Sequence, residues 1–409
     1  MLQSKMRFVA LSAAALMLVG GSLVSAQDDS KVIKIASQSP LSGPQSVLGT
    51  SIRNAIELAV EQLSGPLVDM GYTVEFVPYD DQATPDVGVS NAQNIVNDPA
   101  IIAVIGHLNS GVAIPSSEVY NTNNLVMISP ANTNVNITDR YLPTVNRIAG
   151  RDDTQGAAGA AFAKSLEGVA NVYVLHDNTA YGQGVAEFFQ AEATSQGLTV
   201  LGFEGTSEAS NFDGIIQPIL AQAPDLIYFG GIYSQTGVFI KQAREAGYEG
   251  FFVGPDGFDS SDFAGLAGDQ GVGTYYTSVA APVSFYPDAA QFATDYEAKF
   301  SASPEPFAAQ AYDATGIAIQ AITLAAQRSD GAVPSRPLVA SIVRGTSEYK
   351  GMTSTYSFDP IGDPEIGLYY IIKVNSADPL EWNNNELISA QQIPSPLYSA
   401  QQDMMGEGN

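Results

Sequence analysis

Residues 101–133 read IIAVIGHLNSGVAIPSSEVYNTNNLVMISPANT. The run 101–105 is wholly apolar and rich in β-branched side chains, 111–120 has the length and composition of a short helix, and 125–128 is a second apolar run. A strand, a crossover helix and a second strand of these lengths make a βαβ unit, whose parallel strands are buried on both faces and need no polar alternation.

The same alternation extends in both directions from this unit. Upstream, strands are predicted at 32–36 and 73–79 and helices at 47–63 and 86–96. In the first of these helices Ile52, Ala55, Ile56, Leu58, Ala59 and Leu63 recur near the helical period. Downstream of Arg151 a second series begins, with helices predicted at 154–166, 181–196, 213–221 and 235–246 and strands at 171–175, 199–204 and 226–229. A helix-rich stretch over 287–343 follows, then strands near 354–358 and 368–374 and a polar tail from Ile393, rich in Pro, Ser and Gln and expected to be partly disordered. The pattern predicts an α/β protein with two doubly wound units. Open sheets of this kind bind ligands outside the carboxyl ends of their strands, so two of them in one chain imply a cleft suited to a small molecule.

Charge and composition narrow the function. The chain has 43 Asp and Glu against 17 Lys and Arg, a net charge of −26 without an acidic block. Nucleic acid is excluded as a partner, because phosphate contacts need clustered cations. At the N-terminus Lys5 and Arg7 precede an apolar run to Val19 and then Val24-Ser25-Ala26. That layout predicts a secretory signal peptide over 1–26, cleaved near Ala26. No other stretch approaches the roughly 20 apolar residues that span a bilayer, so the mature chain is expected to be soluble. Roughly 380 residues then remain, enough for two domains. There is no cysteine, so neither a disulfide nor a lipid anchor on an N-terminal Cys is available.

Catalytic and cofactor signatures are missing. The two histidines, His107 and His176, each end a predicted strand. A trio of Ser110, His107 and Asp177 has no G-x-S-x-G turn beside it, and no paired His or Cys spacing marks a metal site. Asp80 and Asp81 are adjacent on a strand and would point to opposite faces, which suits turn capping better than a carboxylate dyad. Neither G-x-G-x-x-G after the first strand nor a P-loop is present, and no cofactor is expected.

Two segments read as a binding site. Strand 101–105 ends in Gly106-His107-Leu108-Asn109-Ser110-Gly111, followed by a helix whose free N–H groups and dipole favour an anion, with the Ser110 hydroxyl as a further donor. Serine also suits the N-cap of that helix. The next strand ends in Ser129-Pro130-Ala131-Asn132-Thr133, where Pro130 keeps the backbone extended and offers carbonyls and the Thr133 hydroxyl to the cleft. An ordinary turn reads the same way.

The run Tyr79-Asp80-Asp81, then VNDPAIIAVIGHLNS (96–110), VMISPANT (126–133), VYVLHDNTAYGQG (172–184), IYFGGIYSQTG (227–237), KQAREAG (241–247) and FVGPDG (252–257), resembles in order and spacing the periplasmic leucine/isoleucine/valine-binding proteins of ABC importers. The resemblance extends to about Val374. It implies two Rossmann-like lobes of the type I periplasmic binding protein kind, joined by three crossings near Ile148, Val279 and Phe358. Residues 27–148 and 280–357 would form one lobe, 149–279 and 358–392 the other, and 393–409 the tail.

By the same resemblance Ser110 and Thr133 would hold a ligand α-carboxylate. The Ala131 carbonyl, the Thr133 hydroxyl and Asp256 would hold its α-ammonium, and Tyr181 would close over it. Asp256 also precedes Gly257 in a common turn pair. Leu108, Asn109, Ile232, Tyr233 and Phe307 would line the side-chain pocket. The chain departs from the family in three places: Asp256 stands where a longer Glu is common, Ile232-Tyr233 where the family has an aromatic after Gly-Gly, and Asn109 where a disulfide cysteine can occur. A polar Asn109 would admit a polar or larger side chain. The implied protein is a monomeric, non-enzymatic periplasmic component that closes on an amino acid and delivers it to an inner-membrane ABC permease. The competing readings are a scavenger or sensor component binding an amide, urea or aromatic acid on the same fold, and a hydrolase or amidase.

Overall fold

Strands buried on both faces carry the architecture. The computed structural model describes residues 31–406, so the expected signal peptide at 1–26 lies outside the described residues. The first unit runs β1 (Val32–Ser39), α1 (Ser46–Leu63), α2 (Gly65–Asp69), β2 (Thr73–Asp80), α3 (Pro85–Asn97), β3 (Ile101–Gly106), α4 (Ser110–Thr122), β4 (Val126–Ser129) and β5 (Val145–Arg147). The second runs α5 (Asp152–Ser165), β6 (Asn171–His176), α6 (Ala180–Ser195), β7 (Thr199–Gly205), α7 (Asp213–Leu220), β8 (Leu226–Gly230), α8 (Tyr233–Glu245), β9 (Phe251–Gly254), α9 (Ser261–Ala267) and β10 (Tyr275–Ser278). The chain then returns to the first unit with α10 (Ala290–Phe300), α11 (Ala308–Ala326), α12 (Arg336–Arg344) and a small hairpin of β11 (Tyr349–Lys350) and β12 (Thr355–Tyr356). It ends on the second unit with β13 (Ile366–Lys373), β14 (Glu386–Pro394) and α13 (Pro396–Gly406).

The first sheet has the order β2-β1-β3-β4-β5 and is parallel throughout. The second has the order β14-β13-β10-β9-β8-β6-β7, parallel from β7 to β10, with β13 and β14 added antiparallel at one edge. These are two α/β lobes built on largely parallel sheets, the architecture that the resemblance implies. Every residue of β3, β4 and β8 is buried, as their unbroken apolar runs require. The Ala-rich α11 is the innermost helix of the first lobe, packed against α1, β3 and β4. Strand order reverses between β1 and β3 in one sheet and between β6 and β8 in the other. Such switch points open a crevice at the strands' carboxyl ends. The loops that leave β1, β3, β6 and β8 therefore converge on one cleft.

The structure differs from the sequence reading in its short and edge elements. The stretch from Ile393, expected to be a partly disordered tail, instead completes β14 and continues into α13. The strand expected near 354–358 shrinks to the two residues of β12, paired only with β11. Strands β5, β9, β10 and β14 and helix α9 were not anticipated. In β5 the middle of a three-residue strand is Asn146 and its end is Arg147, both fully buried and hydrogen-bonded, a pattern that does not read as apolar.

Candidate functional site

The loop between β3 and α4 is fixed from below. The His107 amide donates to Asn132 Oδ1 at 3.1 Å, and Asn132 Nδ2 donates to the Leu108 carbonyl at 2.8 Å, so one side chain ties this loop to the one after β4. His107 is fully buried, with Nδ1 3.1 Å from Asp81 Oδ2 and Tyr120 stacked beside it. Ser110 is the first residue of α4 and Asn109 its N-cap, so the serine is not the cap that its position suggested. The Ser110 hydroxyl accepts weakly from the Asn134 amide at 3.4 Å.

The loop after β4 is shaped by Arg147. Its Nη1 donates to the carbonyls of Asn132, Thr133 and Asn134, at 3.3, 2.9 and 2.8 Å, while its Nε donates to Asp363 Oδ1 at 2.6 Å. A buried guanidinium needs such complete satisfaction. The Thr133 carbonyl is taken by Arg147 and by the Asp152 amide, and the residue's buried hydroxyl faces the Asp152 carboxyl.

The second lobe supplies Tyr181 and Asp256. Tyr181 lies in the first turn of α6, which Thr179 caps by accepting from the Gly182 amide at 2.9 Å. Asp256 opens a short 3-10 turn after β9 and is buried. The Tyr181 hydroxyl donates to Asp256 Oδ1 at 2.7 Å and accepts from the Gly257 amide at 2.6 Å. A Cβ at Gly257 would lie 2.3 Å from the Gly231 carbonyl and 2.9 Å from the tyrosine ring, so only glycine permits this approach. Phe307, the N-cap of α11, adopts φ of +70°, a strained conformation for a bulky residue and of the kind that collects at binding sites.

These residues surround one partly open pocket. Its walls include all ten residues named from sequence: Leu108, Asn109 and Ser110 after β3; Ala131 and Thr133 after β4; Tyr181 after β6; Ile232 and Tyr233 after β8; Asp256 after β9; and Phe307 before α11. Gln45, Leu48 and Gly257, which sequence reasoning missed, also line it. Gln45 follows β1, and the strand-end rule applied to that strand would have pointed to it.

The electrostatics are one-sided. Burial raises the Asp256 carboxyl to about 6, against the opposing pull of the Tyr181 hydroxyl and the Gln155 amide. Asp152, fully buried, is pushed well above the ordinary carboxylate range by burial and then by the charge of Asp256, against the pull of the Thr133 hydroxyl. Two buried carboxyls whose charges repel favour a bound cation.

Other candidates resolve as structural. Asp80 accepts from the amides of Leu41 and Gln82 and from the Ser42 hydroxyl, and Asp81 accepts from the Ala83 amide, so both cap turns. His176 Nδ1 accepts from the Asn178 amide. Asp177 accepts from the amide and hydroxyl of Thr179, while His107 faces Asp81 and Tyr120, and the trio with Ser110 does not assemble.

A family model for periplasmic binding proteins matches residues 32–379. The Leu/Ile/Val-binding protein homolog 2 of Brucella abortus is 30% identical over 353 residues, spanning 86% of this chain and 92% of its own. A leucine-, isoleucine-, valine-, threonine- and alanine-binding protein of Pseudomonas aeruginosa is 29% identical over 336 residues, spanning 81% and 87%. Among solved structures, the leucine-binding protein LivK of Thermotoga maritima superposes with a TM-score of 0.78 at 25% identity, covering 89% of this chain and 99% of that one. A solute-binding protein of Rhodopseudomonas palustris in complex with benzoate superposes with a TM-score of 0.75 at 19% identity, covering 90% and 98%.

Proposed function

The chain belongs to the periplasmic binding protein family, and from that premise we propose that it captures a free α-amino acid between its lobes and hands it to an ABC importer. The observation that carries this reading is the buried Asp256, which accepts from the Tyr181 hydroxyl and stands in the same pocket as the hydroxyl of Thr133. An ammonium taken out of water needs a carboxylate and full hydrogen bonding to offset its desolvation. In this reading Asp256, the Ala131 carbonyl and the Thr133 hydroxyl take the ammonium. Ser110, Thr133 and the N-terminus of α4 take the carboxylate, and Tyr181 closes over both. Leu108, Asn109, Ile232, Tyr233 and Phe307 receive the side chain.

The reading includes export through a signal peptide at 1–26, a monomer in the periplasm without a cysteine anchor, and an inner-membrane permease as partner. It assigns residues 27–148 with 280–357 to one lobe and 149–279 with 358–392 to the other. Contact with both lobes favours the closed form by differential affinity, which is how such a protein signals occupancy. No catalysis is assigned, since His107 is engaged away from Ser110.

A ligand without an ammonium is the alternative, supported by the benzoate complex of the R. palustris neighbour, because fold does not fix ligand. Asp256 argues against it, since such a ligand would leave the carboxylate unpaired. The test is a thermal-shift screen of the mature protein against amino acids, amides and aromatic acids, since a ligand that binds only the folded state raises its stability by mass action. α-Amino acids are expected to raise Tm. A shift from amides or aromatic acids alone would reject the proposal.

A further inference from the structure

Asn109 breaks a local rule. As the N-cap of α4 it is the residue type best suited to accept a hydrogen bond from its own helix, yet its side chain makes no cap bond. Gln45, the N-cap of α1, makes none either. Instead Asn109 Nδ2 donates to Gln45 Oε1 at 2.8 Å, joining the loops that leave β1 and β3 at the topological switch point. A propensity given up at one position is a mark of a functional site.

The pair leaves two polar groups over. Among the described residues, Asn109 Oδ1 is buried and accepts no hydrogen bond, and Gln45 Nε2, on a part-buried side chain, has no protein acceptor. Both residues line the pocket and also the wider cavity next to it, formed with Asn178, Thr179 and Ala180, so the two amides stand on a wall that the two share. The Tyr233 hydroxyl donates to the carbonyl of Pro44, the neighbour of Gln45, at 2.9 Å and holds that loop from the opposite lobe.

Resting on the amino-acid reading of the same site, we propose that Gln45 and Asn109 select a neutral amino acid with a side-chain carboxamide. The ligand's NH2 would donate to Asn109 Oδ1 while its carbonyl accepts from Gln45 Nε2, so three amides complete one another. The apolar walls from Leu48, Leu108 and Ile232 would hold the methylene stem. An aliphatic side chain of similar size leaves Asn109 Oδ1 buried and unsatisfied on closure. A side-chain carboxylate brings an acceptor against that oxygen. Sites built to hydrogen-bond a ligand group reject analogues that lack it far more strongly than apolar pockets reject a change in size.

The experiment is isothermal titration of the mature chain with L-glutamine, L-leucine and L-glutamate, on the wild type and on Asn109→Leu, Gln45→Leu and Asp256→Asn, with Tm confirming that each variant folds. Wild type is expected to bind glutamine at least tenfold tighter than leucine or glutamate. Asn109→Leu should reverse the glutamine-to-leucine preference, Gln45→Leu should reduce it, and Asp256→Asn should weaken both ligands alike. Leucine binding as tightly as glutamine, or a preference unchanged in Asn109→Leu, overturns the carboxamide assignment while leaving the amino-acid reading intact. If neither these nor any other α-amino acid binds, the underlying reading fails and the selection with it.

Discussion

The Tyr181 hydroxyl stands between Asp256 and the backbone that carries it, donating to Asp256 Oδ1 at 2.7 Å while accepting from the Gly257 amide at 2.6 Å. One phenol from α6 thereby orients the acid and braces its turn. Tyr181→Phe removes both bonds and leaves the Gly257 amide without that acceptor. A hydrogen bond to a charged group contributes about 1.5–3 kcal/mol, so amino-acid affinity should fall by about 10- to 100-fold, read by isothermal titration. An unchanged Kd would show that the tyrosine does not organise the acid.

The raised Asp256 carboxyl makes binding depend on pH with a defined sign. An ammonium needs the ionised form, and in the free protein that form is lost as pH falls through about 6. Affinity should fall about tenfold per unit as pH drops below 6, and Asp256→Asn should bind weakly with no such slope. Stability of the free protein moves the other way. The folded state holds this proton more tightly than the unfolded chain, so the contribution is complete below the unfolded value near 3.8 and lost as pH rises through 6. Asp259, raised by burial to about 7, and Asp313, raised by burial to about 6, act in the same direction. The slope of ligand affinity between wild type and Asp256→Asn therefore isolates Asp256, where a melt alone would not.

The sheets were legible because interior parallel strands such as Ile101–Gly106 and Leu226–Gly230 are unbroken apolar runs, a signal that needs no tertiary information. β14 was not, because Glu386–Pro394 is an edge strand with an exposed, mostly polar face that reads as a tail. Within the site, residues in recognisable segments were found together, whereas Gln45 was missed because its role depends on β1 lying beside β3. Asp152 was hidden by its place in the first turn of α5, where acidic residues ordinarily serve the helix dipole. Arg147 was hidden because a buried guanidinium resembles a surface one until its acceptors are known.

Arg147 and Asp363 couple the hinge side of the molecule to the binding loop. Burial alone would raise the Asp363 carboxyl, but the charge and hydrogen bond of Arg147, joined by Arg151, hold it below the ordinary range. Its contribution to stability is present above pH 4 and lost on further acidification through the lowered value. Asp363→Ala leaves two buried guanidinium groups short of a partner and should cost about 3–5 kcal/mol, the usual penalty for breaking a buried pair, measured by urea unfolding at pH 7. Arg147→Met should be destabilising by a similar mechanism. It should also weaken ligand binding, because the carbonyls of Asn132, Thr133 and Asn134 lose their common donor.

Across the cleft, Ser261 at the start of α9 donates to the Glu305 carboxylate through its hydroxyl at 2.5 Å and its amide at 3.1 Å, and the Glu305 amide donates to Ser51 Oγ at 2.9 Å. This chain of bonds joins the second lobe to α1 and to the segment before α11 without entering the pocket walls. It therefore stabilises the closed arrangement without touching ligand. Binding that requires closure weakens in proportion to the closed fraction. Ser261→Ala removes one bond to a charged acceptor, about 1.5 kcal/mol, so affinity should fall roughly tenfold, mainly through faster dissociation. Small-angle scattering of the ligand-free variant should show a larger radius of gyration than wild type, and saturation with ligand should restore the wild-type value. A weaker Kd with no change in scattering would place Ser261 in ligand contact instead of in the latch, and an unchanged Kd would show that the latch contributes nothing to closure.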